Sequence, residues 1–375
     1  LSYLECDDPH REILISPASN DEAMLQIPDL AMLETRYDLG EEIARGGMGV
    51  VLCAYDRNLR RDVAVKVLKT GSEERPDIVR RFLQEAQIGG QLQHPGIAPV
   101  YEIGRLPDGR PFIAMKLVKG KTLAALLGER SEITENQSKL LQVYAQICQV
   151  IAFAQKRRVI HRDLKPDNVM VGEFGEVQVM DWGLAKILDQ RQIPVDKDGS
   201  PASEPSVDSG EKEANSANIC TDSEDRRTRL GHVMGTPAYM APEQSLGVCD
   251  EKTDVFALGS ILCEILTGVP PGGDLDAAKQ RLDDCPSDRE WIELAKDCLA
   301  ANPSSRLADA GVVAARVSAH LNAIESRLRD AEIDAASAKV KAEEERKLRR
   351  RTHWTIAVVG ALLVIFSLIG WYIRT

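Results

Sequence analysis

His161-Arg162-Asp163-Leu164-Lys165-Pro166-Asp167-Asn168 decides how this 375-residue chain is read, because it packs a carboxylate, an ammonium and a carboxamide into one tight loop. Partners stand in order on both sides of it. Upstream come the glycine-rich turn Gly46-Gly47-Met48-Gly49-Val50-Val51, then Val63-Ala64-Val65-Lys66, then Glu85. Downstream come Asp181-Trp182-Gly183 and Ala241-Pro242-Glu243. Glycine-rich and acidic stretches arise by chance singly in a chain this long, but such a series in fixed order does not.

An apolar content of 43% supplies a full core for two or three domains. The formal charge of -11 argues against nucleic acid as a partner, since phosphate contacts need a concentrated basic face and the motif-bearing region has none. Eight cysteines (Cys6, Cys53, Cys148, Cys220, Cys249, Cys263, Cys285, Cys298) form no C-x-x-C pair, and several sit in apolar runs where a thiol packs as a small hydrophobe. They read as reduced and cytosolic, not as a disulfide framework or zinc site.

Residues 1–35, beginning with Leu1, carry no strong period and read as a trimmed, mobile extension. Strand character starts near Tyr37. Val50 to Tyr55 reads as the returning strand of a hairpin, Asp62 to Leu68 as a third strand, and Phe112 to Met115 as a buried strand after the turn Pro107-Asp108-Gly109. Asp77 to Gln93 has helical spacing, with Ile78, Phe82, Ala86 and Leu92 on one side. The chain through residue 320 reads as mostly helical. Within it, residues 189–229 are rich in Ser, Asp, Glu and Pro and too poor in large apolar side chains to offset the entropy of ordering, so this insertion reads as disordered.

Beyond it, residues 321–353 form a charged helix on which Leu321, Ile324, Leu328, Ala331, Ala335, Ala338 and Ala342 recur at alternating spacings of three and four. That is a thin heptad seam, open to two readings: a weak homodimeric coiled coil, or a solvated spacer. Thr355 to Ile373 is then uncharged over roughly 19 residues, about 28 Å as a helix, and matches the thickness of a lipid bilayer. Arg346, Lys347, Arg349, Arg350 and Arg351 precede it and only Arg374 follows, while Trp354, Trp371 and Tyr372 mark its ends. By the positive-inside rule the preceding chain is expected in the cytoplasm, anchored to the cell membrane by a single span.

Taken together, the motifs resemble those of the eukaryotic-like Ser/Thr protein kinases of bacteria, of the membrane-anchored kind, over residues 36–320. The resemblance implies an α+β, two-lobed protein kinase fold, with a small β-rich N-lobe (about 36–118) and a larger helical C-lobe (about 119–320), followed by the juxtamembrane and transmembrane helices. It implies ATP and Mg²⁺ as cofactors, with Mn²⁺ as the alternative ion, and Ser/Thr hydroxyls of protein substrates as acceptors. Ala44, Arg45, Gly46, Gly47, Met48 and Gly49 would lie over the phosphates. Lys66 would reach the α and β phosphates, held extended by Glu85. Asn168 and Asp181 would offer the hard oxygens that Mg²⁺ prefers. Asp163 would take or orient the proton of the incoming hydroxyl, and Lys165 would offset charge near the γ-phosphate. Met115 would be the gatekeeper, with backbone groups of Lys116 and Val118 meeting adenine and Val51, Ala64 and Met170 enclosing its ring. Lys165, with Gly235-Thr236-Pro237-Ala238-Tyr239-Met240-Ala241-Pro242-Glu243, is similar to the Ser/Thr subgroup. Glu243 would pair with Arg306, and Asp254 would brace the catalytic loop. Arg162 before Asp163 implies regulation by a phosphate on the activation segment, with Thr228, seven residues before Gly235 and beside Arg226, Arg227 and Arg229, as the candidate acceptor.

Four positions depart from the family pattern. Ala44 replaces the first glycine of the loop, which restricts φ at a turn that normally exploits glycine's freedom. Trp182 replaces Phe, Gly89 stands four residues after Glu85 where a bulky apolar residue normally packs, and Gly272 replaces Phe after Pro270-Pro271. A larger ring facing a smaller hole points to compensation between Trp182 and Gly89. The competing reading is a pseudokinase scaffold that binds nucleotide without efficient transfer.

Overall fold

The computed structural model describes residues 36–72, 74–188 and 237–374, so the expected N-terminal extension, the insertion at 189–229 and Thr228 lie outside the described residues. Two compact units are present, one ending at Arg316 and the other formed by Val317–Thr375.

The first unit opens with β1 (Tyr37–Arg45), β2 (Gly49–Asp56), β3 (Arg61–Leu68), α1 (Pro76–Gln91), β4 (Val100–Arg105) and β5 (Pro111–Lys116). The five strands form an antiparallel sheet in the order β1-β2-β3-β5-β4. Side chains alternate across a strand, so register decides what each face carries. Val51 faces Lys66, Cys53 faces Ala64, Ala64 faces Met115 and Lys66 faces Ile113. These therefore share one face. Val63, Val65 and Val67 occupy the other, packed with Tyr37, Ala54, Phe112 and Ala114 into one apolar cluster. Beyond the end of the first face, Leu68 and Ile113 pack with Val79, Phe82 and Ala86, which holds α1 against the sheet. Pro76 at its first position and Asp77 in its first turn suit a helix start.

The larger part of this unit contains β6 (Gly120–Thr122), α2 (Leu123–Gly128), α3 (Gln137–Lys156), β7 (Val159–Ile160), β8 (Val169–Gly172), β9 (Val177–Val179), β10 (Lys186–Ile187), α4 (Glu251–Thr267), α5 (Leu275–Asp284) and α6 (Arg289–Cys298). At its centre α4 is buried almost all round from Thr253 to Thr267, as a helix apolar on every side must be. Its ends are fixed chemically. Asp250 and Thr253 form a reciprocal capping box, and Gly268 ends it at φ 77°. Gln155 on α3 donates to the Glu251 carbonyl at 2.9 Å and accepts from the Ala310 N–H at 2.7 Å. The expected two-lobed kinase architecture is present, β-rich then helical.

Helix α7 (Ala310–Arg374) begins in the first unit, and the second unit contains the rest of it. Within the second unit Leu328 is 61% exposed and Ile333 60% exposed. Among the described residues no helix is long and apolar enough to cross a membrane. Side chains past Ile365 are not described, so the expected span at 355–373 lies partly outside the described residues. All six described cysteines (Cys53, Cys148, Cys249, Cys263, Cys285, Cys298) are free thiols.

The predicted pair of Glu243 and Arg306 forms, with Nη1 and Nη2 donating to the two carboxylate oxygens at 2.6 and 2.9 Å. Arg306 also donates to the carbonyls of Ala300, Ala301 and Lys252, and its guanidinium lies over Phe256. The Arg306 side chain is fully buried. Arg306→Leu would leave Glu243 without its counter-charge, and stability measured in urea should fall by about 3–5 kcal/mol. Glu243→Met/Arg306→Leu should recover part of that loss, and a double variant no better than the single one would remove the pair as its cause.

Candidate active site

Register places Lys66 on the inner sheet face, and α1 brings Glu85 to it. The ammonium donates to both carboxylate oxygens at 2.6 and 2.8 Å and lies 3.6 Å from Asp181. Burial pulls the Lys66 ammonium down, but the carboxylates of Glu85 and Asp181 outweigh it and leave Lys66 above the ordinary lysine value. Lys66 is therefore protonated throughout the neutral range. Burial pushes the Glu85 carboxyl up, against the opposing pull of Lys66.

The catalytic loop is fixed from below. Asp254 accepts from the backbone N–H groups of His161 and Arg162 at 2.8 and 3.0 Å, as expected for a brace. Between them the backbone turns through a left-handed Arg162 at φ 69°. The Asp163 N–H donates to His161 Nδ1 at 3.3 Å, so the ring proton sits on Nε2 and donates to the Met180 carbonyl at 3.0 Å. Asn168 donates its amide to the Asp163 carbonyl at 2.7 Å and to Asp163 Oδ2 at 3.2 Å. Lys165 Nζ lies 3.1 Å from the same Oδ2. One Asp163 oxygen is thus held by two donors, which orients the carboxylate.

Asp181 follows β9 with φ 57° and a carboxylate that is half exposed, 51%. Gly183 allows the approach: a Cβ there would lie 3.1 Å from Glu85 Oε2 and 3.2 Å from Asp181 Oδ1. The glycine turn has room over it, since a Cβ at Gly47 would meet nothing within 4 Å and one at Gly46 only the Gly49 carbonyl at 3.9 Å. Gly49 is different. Its Cβ would lie 2.7 Å from the Val67 carbonyl, so backbone packing on β3 requires glycine there.

The residues present fit ATP and Mg²⁺. Asn168 and Asp181 offer oxygen donors, Asn168 having turned its nitrogen toward Asp163. Val51 and Ala64 lie on the Lys66 face of the sheet, and Met170 is half-buried on β8. Met115 packs beside Leu68, Phe82 and Ile113, as a gatekeeper would. The Lys116 N–H donates to the Pro99 carbonyl at 3.1 Å, so that donor is already engaged within the sheet. Arg45 and Met48 lie at the two ends of the turn; Arg45 pairs with Glu42, and a Cβ at Gly183 would reach Met48 Cε at 2.8 Å.

Three expectations are corrected or sharpened. Ala44 incurs no φ penalty, because it lies in β1 opposite Val51 and is not among the left-handed residues. Trp182 does not fill the space beside Gly89: both line a cavity of about 30 Å³ with Val100, Ile113 and Met115. Gly272 stands at φ 65°, a conformation glycine favours, and its N–H donates to the Ala238 carbonyl at 3.3 Å. Two contacts had no single-sequence signal: Gln244 donating to the Arg162 carbonyl at 2.6 Å, and Tyr239 donating to Glu264 at 2.6 Å.

Residues 37–203 match the protein kinase domain family. The serine/threonine-protein kinase PknD of Protochlamydia amoebophila is 36% identical over 269 residues, covering 68% of this chain and 25% of that protein. PknD of Chlamydia muridarum is 38% identical over 243 residues, 62% of this chain and 24% of that protein. The serine/threonine-protein kinase PknB of Mycolicibacterium smegmatis is 35% identical over 290 residues, 73% of this chain and 41% of that protein. The chain spans about a quarter of the length of the PknD relatives it matches.

The raised Glu85 sets an expected pH profile. As pH falls, Glu85 takes its proton earlier than an ordinary glutamate and releases Lys66, so turnover should fall on the acid side above the usual carboxylate range. The fold behaves oppositely through this group: a carboxyl with a raised folded value favours folding at low pH and loses that contribution as pH rises. A turnover–pH curve alongside melting temperatures should show activity lost before structure. An acid limb that persists unchanged in the residual activity of Glu85→Gln would belong to another group.

Proposed function

This chain carries the catalytic domain of a eukaryotic-like bacterial Ser/Thr protein kinase, and from that premise we propose that it transfers the γ-phosphate of ATP to Ser/Thr hydroxyls of proteins, its own among them. The observation that carries this reading is the assembled Lys66–Glu85 pair at 2.6 Å, with Asp181 3.6 Å from the same ammonium and Asp163 oriented below. A scaffold that had abandoned catalysis would have no need of all these groups in register.

Asp163 receives the proton of the acceptor hydroxyl as its oxygen attacks, and the Asn168 amide and Lys165 hold the carboxylate toward it. Lys66 holds the non-transferred phosphates, and Lys165 balances charge on the transferred group. Asn168 and Asp181 would hold Mg²⁺, which when bound would supply neutralisation of charge on the phosphate oxygens. Positioning and charge complementarity account for most of the acceleration in this class of reaction.

Transfer of radiolabel from ATP to the chain itself and to a generic basic protein tests the reading, and no label on either would leave the scaffold. Asp163→Asn should lower turnover by ~10²-fold or more with nucleotide affinity nearly intact. A variant retaining more than about a tenth of the wild-type rate would remove Asp163 as the base. Lys66→Met and Asp181→Asn should both cripple transfer, with altered Mg²⁺ dependence only in the second.

Regulation is proposed through phosphate on Thr228. Arg162 supports this: its Nε is buried with no hydrogen-bond partner, in a loop fixed by Asp254 and Gln244. Mass spectrometry after incubation with Mg-ATP should find phosphate at Thr228. Modification confined to residues 189–223 with unchanged activity would refute it. The uncharged run Thr355–Ile373 with its basic N-terminal flank supports a single membrane span and a cytoplasmic kinase, and the exposed seam around Leu328 supports weak pairing of two chains. Crosslinking in membranes should capture dimers, and monomers with first-order autophosphorylation would leave the helix a spacer.

A further inference from the structure

Asp181 occupies a left-handed backbone conformation, φ 57°, with half its carboxylate in solvent, so neighbouring groups must hold it where it is. Three hydrogen bonds do so. The Met180 N–H donates to the Asn168 carbonyl at 2.7 Å, and His161 Nε2 donates to the Met180 carbonyl at 3.0 Å. Both act on the residue before Asp181. The third closes the chain around it: the indole Nε1–H of Trp182 donates to the Val179 carbonyl at 3.2 Å, from the residue after Asp181 to the residue two before it. The indole is buried, 5% exposed, and lies on the His161 ring at a centroid distance of 4.7 Å and an angle of 57°.

A phenyl ring in this place would keep the contact with His161 and lose the donor. Packing does not make the donor redundant, because the cavity of about 30 Å³ beside Gly89 and Val100 leaves the indole slack on that side. A Cβ at Gly89 would meet only Val100 Cγ2, at 3.3 Å, and would not reach the ring.

We propose that the indole N–H of Trp182 is a tether that presets Asp181 for its metal ion, making Trp182 a positioning residue for phosphoryl transfer. The tether rests on the reading of Asp181 as a metal ligand. Its consequence is that the Val179–Trp182 segment is ordered before nucleotide arrives, without help from substrate.

Amide hydrogen exchange on the full chain over residues 179–185, without nucleotide, tests this directly. In the wild type the segment should be protected, and Mg-ADP should add little. In Trp182→Phe exchange should be roughly tenfold faster, the equivalent of one lost buried hydrogen bond. The Mg²⁺ concentration for half-maximal activity should rise several-fold, with KM for the protein substrate unchanged. Wild-type exchange rates in Trp182→Phe would overturn the tether. So would a wild-type segment that becomes protected only on adding Mg-ADP, a comparison that needs no variant and decides the matter if Trp182→Phe does not fold. The exchange readout needs no turnover, so failure of the kinase reading would show separately, as absent phosphate transfer with the exchange pattern intact.

Discussion

A buried carboxylate receiving two consecutive backbone N–H groups is the interaction on which the site depends. Asp254 is 1% exposed, and burial pushes its carboxyl up while His161 and the two N–H groups of the catalytic loop pull it back. Each contact beyond it is a further step along one chain of bonds. His161 reaches Met180 and thereby the residue before Asp181, while the Arg162 carbonyl takes Gln244 from the segment that follows the insertion. Asp254 can serve as this origin because α4 cannot slide: its capping box fixes one end, Gly268 the other, and Gln155 ties its first turn to α3. Loss of the Asp254 side chain would strand the buried His161 N–H and the part-buried Arg162 N–H, and a buried donor costs more unpaired than a made bond contributes.

The parts legible in the sequence were those whose chemistry is local or periodic. Strict alternation in Arg61 to Leu68 separates a valine face from a face carrying Ala64 and Lys66, and pairing with β2 and β5 preserves that separation across the sheet. Helical spacing around Phe82 and Ala86 then brings Glu85 onto the lysine. Pairings across long separations, Glu243 with Arg306 and Asp254 with the loop, were accessible only through resemblance to a family. Nothing in the spacing of those residues indicates contact.

Other features needed backbone angles or atom positions. Ala44 reads as a strained substitution only if the first position of the glycine turn is taken to lie in the turn, and it lies in a strand. Gly272 reads as a lost docking residue, whereas its left-handed φ and its bond to Ala238 give it a backbone role. The tilt of the indole, the tautomer of His161 and the direction of the Asn168 amide are set by donors and acceptors from two stretches of chain, 161–168 and 179–182. A hydrophobicity pattern carries none of that.

The orientation of the Asn168 amide bears on how the protein ages. Its nitrogen, not its oxygen, stands 3.2 Å from Asp163 Oδ2. Deamidation would exchange that donor for a second carboxylate of nearly the same shape. Two carboxylates at such a separation do not both ionise readily, so they would come to share a proton. One hydrolysed amide, worth a single mass unit, would replace the donor that meets both the Asp163 carbonyl and its Oδ2 with a group that keeps either contact only while it holds a proton.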